Sequence, residues 1–571
     1  MRIVTRFLLV ATTLVVLVSC APQTVPPNTL AAQPAAAPQG KNGTALSVPG
    51  KPLNIGTPAE PSALGGKFMG GVTGVVDFPF LFHAKLTQYD QNGAITPVLV
   101  DRVPTQENGD WEVLEDATMT TTYRLRPGLT WQDGAPFTAD DVRFTWQAIM
   151  NPQLPSDNRD PERLVSGIDV PDPQTVVVHW KQLYIYANAW NLEPLPQHIF
   201  GPLVTDLQAW TNSPAWSSGW VGLGPYRLSE WAQGSYLRGQ AYSDFALGAP
   251  KIQTVTVYFV TDPNQAVARF LAGEFDITTT NLIRSEEGQL LQQQLGPQGL
   301  VSVLAIPVKL RYGLPQFRDP AVPWVRDVRV RQALMYALDR QSMADVLING
   351  LAPPADMYLT PNDPAYPAAN QAITKYPFDP NRAIATLQQA GWTRGADGVL
   401  QTASGERFPF EVRTTPDVQG VKEAQMLADM WKQVGIDTSV FLIPNAEINN
   451  QEYRAKYPGI TTTSVSTLEG FYLTSDTIPS DANHWKGNNR GGYSSAEGDQ
   501  LQLDYLAAID PAKRSEVLVQ TVKLVSEQLP YLPFYYQVDV HPIRAGLQGV
   551  TTRWPFQPGI TFGVFQWYWT S

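Results

Sequence analysis

Five histidines and one cysteine are all the chain offers for the chemistry most easily read from sequence. The histidines are His83, His179, His198, His484 and His541, and no two stand at metal-ligand spacing. No His-Glu-x-x-His helix and no Gly-x-Ser-x-Gly elbow occurs, so neither a zinc hydrolase nor an α/β-hydrolase nucleophile is written here. Asp133, Asp140 and Asp141 crowd together, as acid–base carboxylates would. The same residues also read as a turn aspartate followed by a helix cap, because unpaired N–H groups and the helix dipole favour Asp at a helix start. We take the structural reading. Thr138-Ala139-Asp140-Asp141 forms a capping box, and Val142, Thr145, Trp146 and Ile149 follow at helical spacing. Arg329 and Arg331 are read as a solvated face or a packing ion pair, in preference to cleft cations. Gly222-Leu223-Gly224-Pro225-Tyr226 lacks the length and terminal lysine of a phosphate loop, so it is expected to be a turn entering a strand. Carboxylates are plentiful enough that a glycosidase pair stays open, but no pair is singled out.

The cysteine stands at the end of Leu17-Val18-Ser19-Cys20. Arg2 and Arg6 precede a short apolar run, the pattern of a secretory signal and too short for a stable membrane span. The exit resembles the bacterial lipobox, which implies cleavage before Cys20 and acylation of its thiol and amine. Two acyl chains suffice for stable anchoring. Residues 21 to 50 carry one charge, Lys41, with six prolines and seven alanines, and are expected to form a tether.

Size and charge narrow the rest. A chain of 571 residues exceeds what one core holds, so two or more lobes are expected. Net charge is −11 and pI about 5.1, which argues against nucleic acid as partner, since phosphate neutralisation drives that binding. The elements expected to position any site are mixed. Thr121 to Leu125 alternate toward a Pro127-Gly128 turn, and Trp131 to Gly134 form the next turn. Asp379-Pro380 starts a helix that Gly391 ends, and Asp327 starts another with Val330, Leu334, Ala337 and Leu338 on its apolar face.

Several segments together carry a family resemblance. "YRLRPGLTWQDGAPFTADDVRFTW" (Tyr123 to Trp146) resembles the signature region of the extracellular solute-binding proteins of family 5, the peptide-, dipeptide- and nickel-binding proteins of ABC importers. "LPQHIF", "GLGPYRL", "FLAGEFDI", "DVRVRQALMYALDR", "FDPNRAIATLQQAGW", "KQVGI", "GGYSSAEGDQLQ" and "LPYLPFYY" follow in that family's order, between Leu195 and Tyr536. The resemblance implies an α/β, periplasmic-binding-protein-like fold of two lobes joined by a hinge, with an extra subdomain in lobe I. It places a signal peptide at 1–19, a tether at 20–44 and lobe I at 45–305, with the inserted subdomain at about 85–215. Lobe II would run over 306–530, and 531–571 would return to lobe I. The chain would cross between lobes near Ile306-Pro307 and Pro530-Tyr531.

The resemblance implies a lipid-anchored monomeric receptor outside the cytoplasmic membrane, working with an ABC permease and needing neither catalytic group, cofactor nor structural metal. Peptide is the expected solute. The family's peptide binders carry a tryptophan and an Asp-Pro segment where this chain reads "ITTTSVSTLEGFYLTSDTIPSDANHW" (Ile460 to Trp485). The tryptophan and Asp-Pro are missing, which leaves Glu469 and Asp476 to meet an ammonium group, with Phe471, Tyr472 and Trp485 as stacking faces. Glu60 and Phe68 fall where the first-lobe cleft loop belongs. Oligosaccharide is the runner-up. A metal chelate held by His484, or a tethered secreted hydrolase, are the remaining alternatives.

Overall fold

The computed structural model describes residues 50–68, 76–156, 159–318, 323–466, 473–554 and 559–570. Cys20, the signal and nearly all of the tether lie outside them, as do Glu469, Phe471 and Tyr472.

Local signals set the helix starts. Thr138 and Asp141 form the expected reciprocal capping box of the helix Ala139–Met150. Asp379 caps Pro380–Gln389 by accepting from the Arg382 N–H at 2.9 Å. Asp327 caps Val328–Tyr336 in the same way, through the Arg329 N–H. The glycine-rich turn at 222–226 does lead into a strand, Tyr226–Ala232. Its glycines allow a close backbone approach: a Cβ on Gly222 would sit 1.9 Å from the Phe82 carbonyl oxygen, and one on Gly224 2.3 Å from the His83 nitrogen.

One ten-stranded sheet runs through the molecule. Its spatial order is Asp437–Leu442, Pro409–Thr414, Ile460–Ser466, Val301–Pro315, Leu532–Arg544, Ile277–Thr278, Leu53–Thr57, Thr254–Phe259, Tyr236–Ala241 and Tyr226–Ala232. Two long antiparallel strands, Val301–Pro315 and Leu532–Arg544, form a ribbon at its centre. One end of this ribbon joins a core that includes Ile306, Val308 and Ile543, and the other a core that includes Leu310, Tyr312 and Tyr536. The sheet is thus shared by two lobes, and the ribbon is the only strand pair common to both cores among the described residues. A third, smaller core lies beneath the helices Pro263–Leu271 and Ser285–Leu295.

The outward crossing is marked by a bulge between Pro307 and Lys309, where Val308 lacks a partner in the ladder. In the return strand the facing residues are Gln537 and Val538. That strand passes the bulge at Gln537–Val538, and before it Tyr531, Leu532, Phe534, Tyr535 and Tyr536 pack in the second core. The first lobe also carries a four-stranded antiparallel sheet, ordered Trp111–Val113, Met119–Arg124, Thr175–Trp180, Val165–Asp172. Trp131, Trp180, Trp190, Trp210 and Trp216 are each at most 2% exposed, and these large rings pack in the same core as the first-lobe strands.

Candidate functional site

Strand direction locates where the lobes present their working ends. Ile277–Thr278 runs antiparallel to Leu532–Arg544 and parallel to Leu53–Thr57, so both carboxyl ends point toward the crossing at Gln537–Val538. In the second lobe Ile460–Ser466 runs antiparallel to Val301–Pro315, and its Ser466 end reaches Lys309. Pro409–Thr414 is parallel to Ile460–Ser466. Two sets of strand carboxyl ends therefore face the same bulge from opposite lobes, the position at which open α/β sheets take ligands. Threonines tie each set together. Thr279 Oγ1 donates to Thr57 Oγ1 at 3.0 Å in the first lobe, and Thr462 Oγ1 to Thr414 Oγ1 at 2.8 Å in the second. The buried hydroxyls of Thr278 and Thr280 have no hydrogen-bond partner among the described residues, which leaves polar capacity at the first-lobe ends.

Apart from these strand ends, none of which lines it, a cavity of about 750 Å³ opens between residues 89–188 and residues 359–518. Tyr89, Trp111, Tyr186 and Asn188 wall it on one side, Trp554 of the C-terminal tail adds an indole, and Leu359, Asp363, Tyr505 and Arg514 wall it on the other. Two polar contacts cross from wall to wall. The hydroxyls of Tyr186 and Tyr505 are 3.2 Å apart, and Arg514 Nη1 donates to the Ile185 carbonyl at 3.5 Å. The lining carries three carboxylates, Glu107, Asp363 and Asp510, against one guanidinium, Arg514.

Buried charges brace both sides of the crossing. In the second lobe Arg311 makes a bidentate contact with Glu423 at 3.0 and 2.6 Å, and the Tyr535 hydroxyl donates to the same carboxylate at 2.7 Å. Burial works against the Arg311 charge, but the Glu423 carboxylate outweighs it and holds the guanidinium pKa above its ordinary value. Burial, reinforced by Glu423, pushes the Tyr535 phenol well up. On the first-lobe side Asp539 pairs with Arg553, and Asp77 accepts from the Thr561 N–H and hydroxyl at 2.9 Å each. His541 Nδ1 lies 2.9 Å from the Thr278 carbonyl. Burial raises the Asp77 pKa and lowers that of His541, so both favour their neutral forms.

The signature region is structural. Asp141 accepts from the N–H groups of Thr138 and Gln197, both at 2.9 Å, and from the Trp131 indole at 3.3 Å. Asp133 faces His198 at 2.8 Å. Arg331 is 3% exposed and donates to the carbonyls of Gln528 and Val325, while Arg329 pairs with Asp327.

Of the ligand-contact residues expected from sequence, Phe68 stands in the core: it is 3% exposed, with its ring 5.4 Å from that of Trp210 and 5.7 Å from that of Trp216. Removing a large apolar ring from water outweighs any gain from showing it to solvent, so this position is a packing one. Glu60 accepts from the Trp231 indole at 2.6 Å and the Gly234 N–H at 2.9 Å, which ties its loop to the neighbouring hairpin. Asp476 is exposed in the short turn Ser475–Thr477. The Trp485 indole donates to Asp481 at 3.0 Å, with Lys456 4.5 Å above the ring. None of these four lines the large cavity. His484 is exposed, and among the described residues no group of three His, Cys, Asp or Glu is placed to hold a metal. The cavity residues carry no local signal in the sequence, since tyrosines and tryptophans scattered from Tyr89 to Trp554 meet only in the fold. No helix among the described residues is long and apolar enough to cross a membrane.

The chain is similar to known proteins over most of its length. Residues 108–475 match the model of the bacterial extracellular solute-binding proteins, family 5. The oligopeptide-binding protein AppA of Bacillus subtilis (strain 168) is 25% identical over 535 residues, which cover 90% of this chain and 92% of AppA. The oligopeptide-binding protein of Thermus thermophilus, solved with a pentapeptide, superposes with a TM-score of 0.65 at 23% identity, over 90% of this chain and 96% of that one. NikA of Brucella suis, solved with Fe(III)-EDTA, gives a TM-score of 0.72 at 18% identity, over 91% of this chain and all of NikA. The fold is the two-lobed one of periplasmic binding proteins, and the chain belongs to the bacterial extracellular solute-binding proteins, family 5.

Proposed function

We propose that this protein is a lipid-anchored extracytoplasmic receptor that captures peptides between its lobes and delivers them, as a monomer, to an ABC permease. The observation that carries the reading is the cavity of about 750 Å³ walled by both lobes, within the roughly 300–1,000 Å³ typical of ligand sites. A ligand held by two walls joined through a bulged ribbon draws them together through contacts made in one relative position, which is how differential binding biases a hinge. The peptide assignment leans on AppA and on the pentapeptide complex of the Thermus protein. Oligosaccharide stands second, because the aromatic wall of Tyr89, Trp111, Tyr186, Tyr505 and Trp554 offers flat faces to sugar rings. Native mass spectrometry of the purified protein, followed by calorimetry with peptide and oligosaccharide pools, separates the two. A retained or titrated peptide supports the first reading, and binding of sugars alone overturns it.

The anchor rests on Cys20, the only cysteine in the chain, at the end of Leu17-Val18-Ser19. Changing Cys20→Ser is expected to release the protein into the soluble fraction. A variant that still sediments with membranes at high salt contradicts the lipid anchor.

A further inference from the structure

The end of the large sheet far from the crossing has a charge balance unlike that of the whole chain, whose net charge is −11. Leu53 pairs with Val255 and Val301 with Arg544, so the residues just before Leu53 and Val255 gather at the same end as the close of Leu532–Arg544. Lys51 and Lys251 are exposed there, and so is Arg227, which the ladder Arg227–Gln240–Thr254 brings alongside. The C-terminal strand Tyr568–Trp569 lies against two of these cations. Lys51 Nζ is 3.2 Å from the Trp569 ring centroid, and Lys251 Nζ 4.7 Å from that of Tyr568. Leu300, just before Val301, is an exposed apolar side chain at the same end. Of the acids there, Asp276 is 3% exposed with Lys51 at 3.9 Å, Glu274 pairs with Arg269 at 2.7 Å, and Asp244 is exposed. The described residues begin at Gly50, so the chain from Cys20 enters the folded body beside Lys51.

An acidic protein is repelled by anionic phospholipid headgroups, and salt confines that force to about 8 Å under physiological conditions. A coil of about 30 residues spans roughly 30 Å, so a linker of that length keeps an anchored body near the bilayer without fixing its orientation. The body is also held at high effective concentration, so a weak patch suffices to seat it. Each Lys or Arg brought to an anionic lipid surface adds about fivefold to binding, and Tyr rings and lysine stems favour the headgroup level. Resting on the Cys20 anchor proposed above, we propose that this end is a membrane-facing surface, on which Lys51, Arg227, Lys251 and Tyr568 seat the protein on anionic phospholipid headgroups. The carboxyl ends of Leu53–Thr57 and Ile277–Thr278 point the other way, toward the crossing. The seated protein therefore turns those strand ends away from the bilayer, toward the solvent that brings the solute.

The test uses the full-length anchored protein in two kinds of vesicle, phosphatidylcholine alone and phosphatidylcholine with about 30% phosphatidylglycerol. Both contain a lipid whose headgroup bears a nitroxide quencher. Acylation leaves Cys20, the chain's one cysteine, without a free thiol. A dye can then be placed on Gln253→Cys at the proposed surface, or on Ala403→Cys at an exposed position of the second lobe. The proposal expects the dye at 253 to be quenched about twofold or more in the anionic vesicles relative to the neutral ones, and the dye at 403 to be quenched equally in both. The excess should vanish near 1 M salt, where the screening length is about 3 Å. It should vanish as well in the double variant Lys251→Glu with Arg227→Glu. Both side chains are exposed and neither forms an ion pair among the described residues, so the fold is expected to survive. The milder pair Lys251→Gln with Arg227→Gln should lose part of the excess. Equal quenching at 253 in the two kinds of vesicle overturns the proposal. An equal excess at 403 overturns it too, and so does an excess that charge reversal leaves intact. If the unaltered protein takes up dye at Cys20, its thiol is not acylated, and the anchor reading itself falls and takes the proposal with it.

Discussion

Burial of single ionisable side chains makes the first lobe sensitive to acid. His83 is 2% exposed, and its Nδ1 accepts from the Leu223 N–H at 3.3 Å. Burial lowers its pKa to about 4, from about 6.5 when unfolded. The unfolded chain therefore binds one more proton than the folded one between these values, and stability falls as pH drops through that window. Above pH 6.5 the contribution is complete. The shift corresponds to about 3 kcal/mol at pH 4. Replacing His83→Gln removes the titration, so the loss of denaturation midpoint between pH 6.5 and 4 should be smaller than in the unaltered protein. An identical loss would show that His83 is not the source. His83 also explains why Gly222 and Gly224 are glycines, because the turn that caps it passes against the backbone of Phe82 and His83.

At the scale of elements, the pair Arg311–Glu423 joins the helix Val418–Gln433 to the ribbon strand Val301–Pro315 just past its bulge. The Glu423 side chain is fully buried and that of Arg311 13% exposed, so removing one partner strands a charge and a phenol. Glu423→Gln is expected to cost about 3–5 kcal/mol in chemical denaturation, and Arg311→Met with Glu423→Leu together much less. A single variant that loses no more than the double would contradict a mutually compensated pair. The elements themselves are largely legible in sequence where their signals are local. Thr138 with Asp141, and Asp379 with Arg382, lie three residues apart, so the cap and the group it satisfies can be read in one glance. The place of the return crossing cannot be read that way, because it depends on which residues of another strand stand opposite, and the bulge at Val308 shifts that register. The surroundings of Phe68 are hidden for a related reason: an aromatic residue reads the same in sequence whether it meets a ligand or packs on Trp210 and Trp216.

At the scale of the whole molecule, the largest sheet among the described residues is built around two antiparallel strands, with different cores at either end of that ribbon. The family and its two-lobed fold are readable because nine motifs keep their order along the chain. The cavity is not, because it gathers Tyr89, Tyr186, Asp363, Arg514 and Trp554 from segments far apart in sequence that meet only when the lobes meet. Its walls touch through Tyr186–Tyr505 and Arg514–Ile185, and a ligand held between them should make those contacts persist. Hydrogen exchange on the full-length protein, with and without a peptide that calorimetry shows to saturate it, tests this directly. The account predicts that protection rises together in residues 185–188 of the first lobe and 505–518 of the second. Protection confined to one lobe, or none in either with the ligand proven bound, would contradict capture between the lobes.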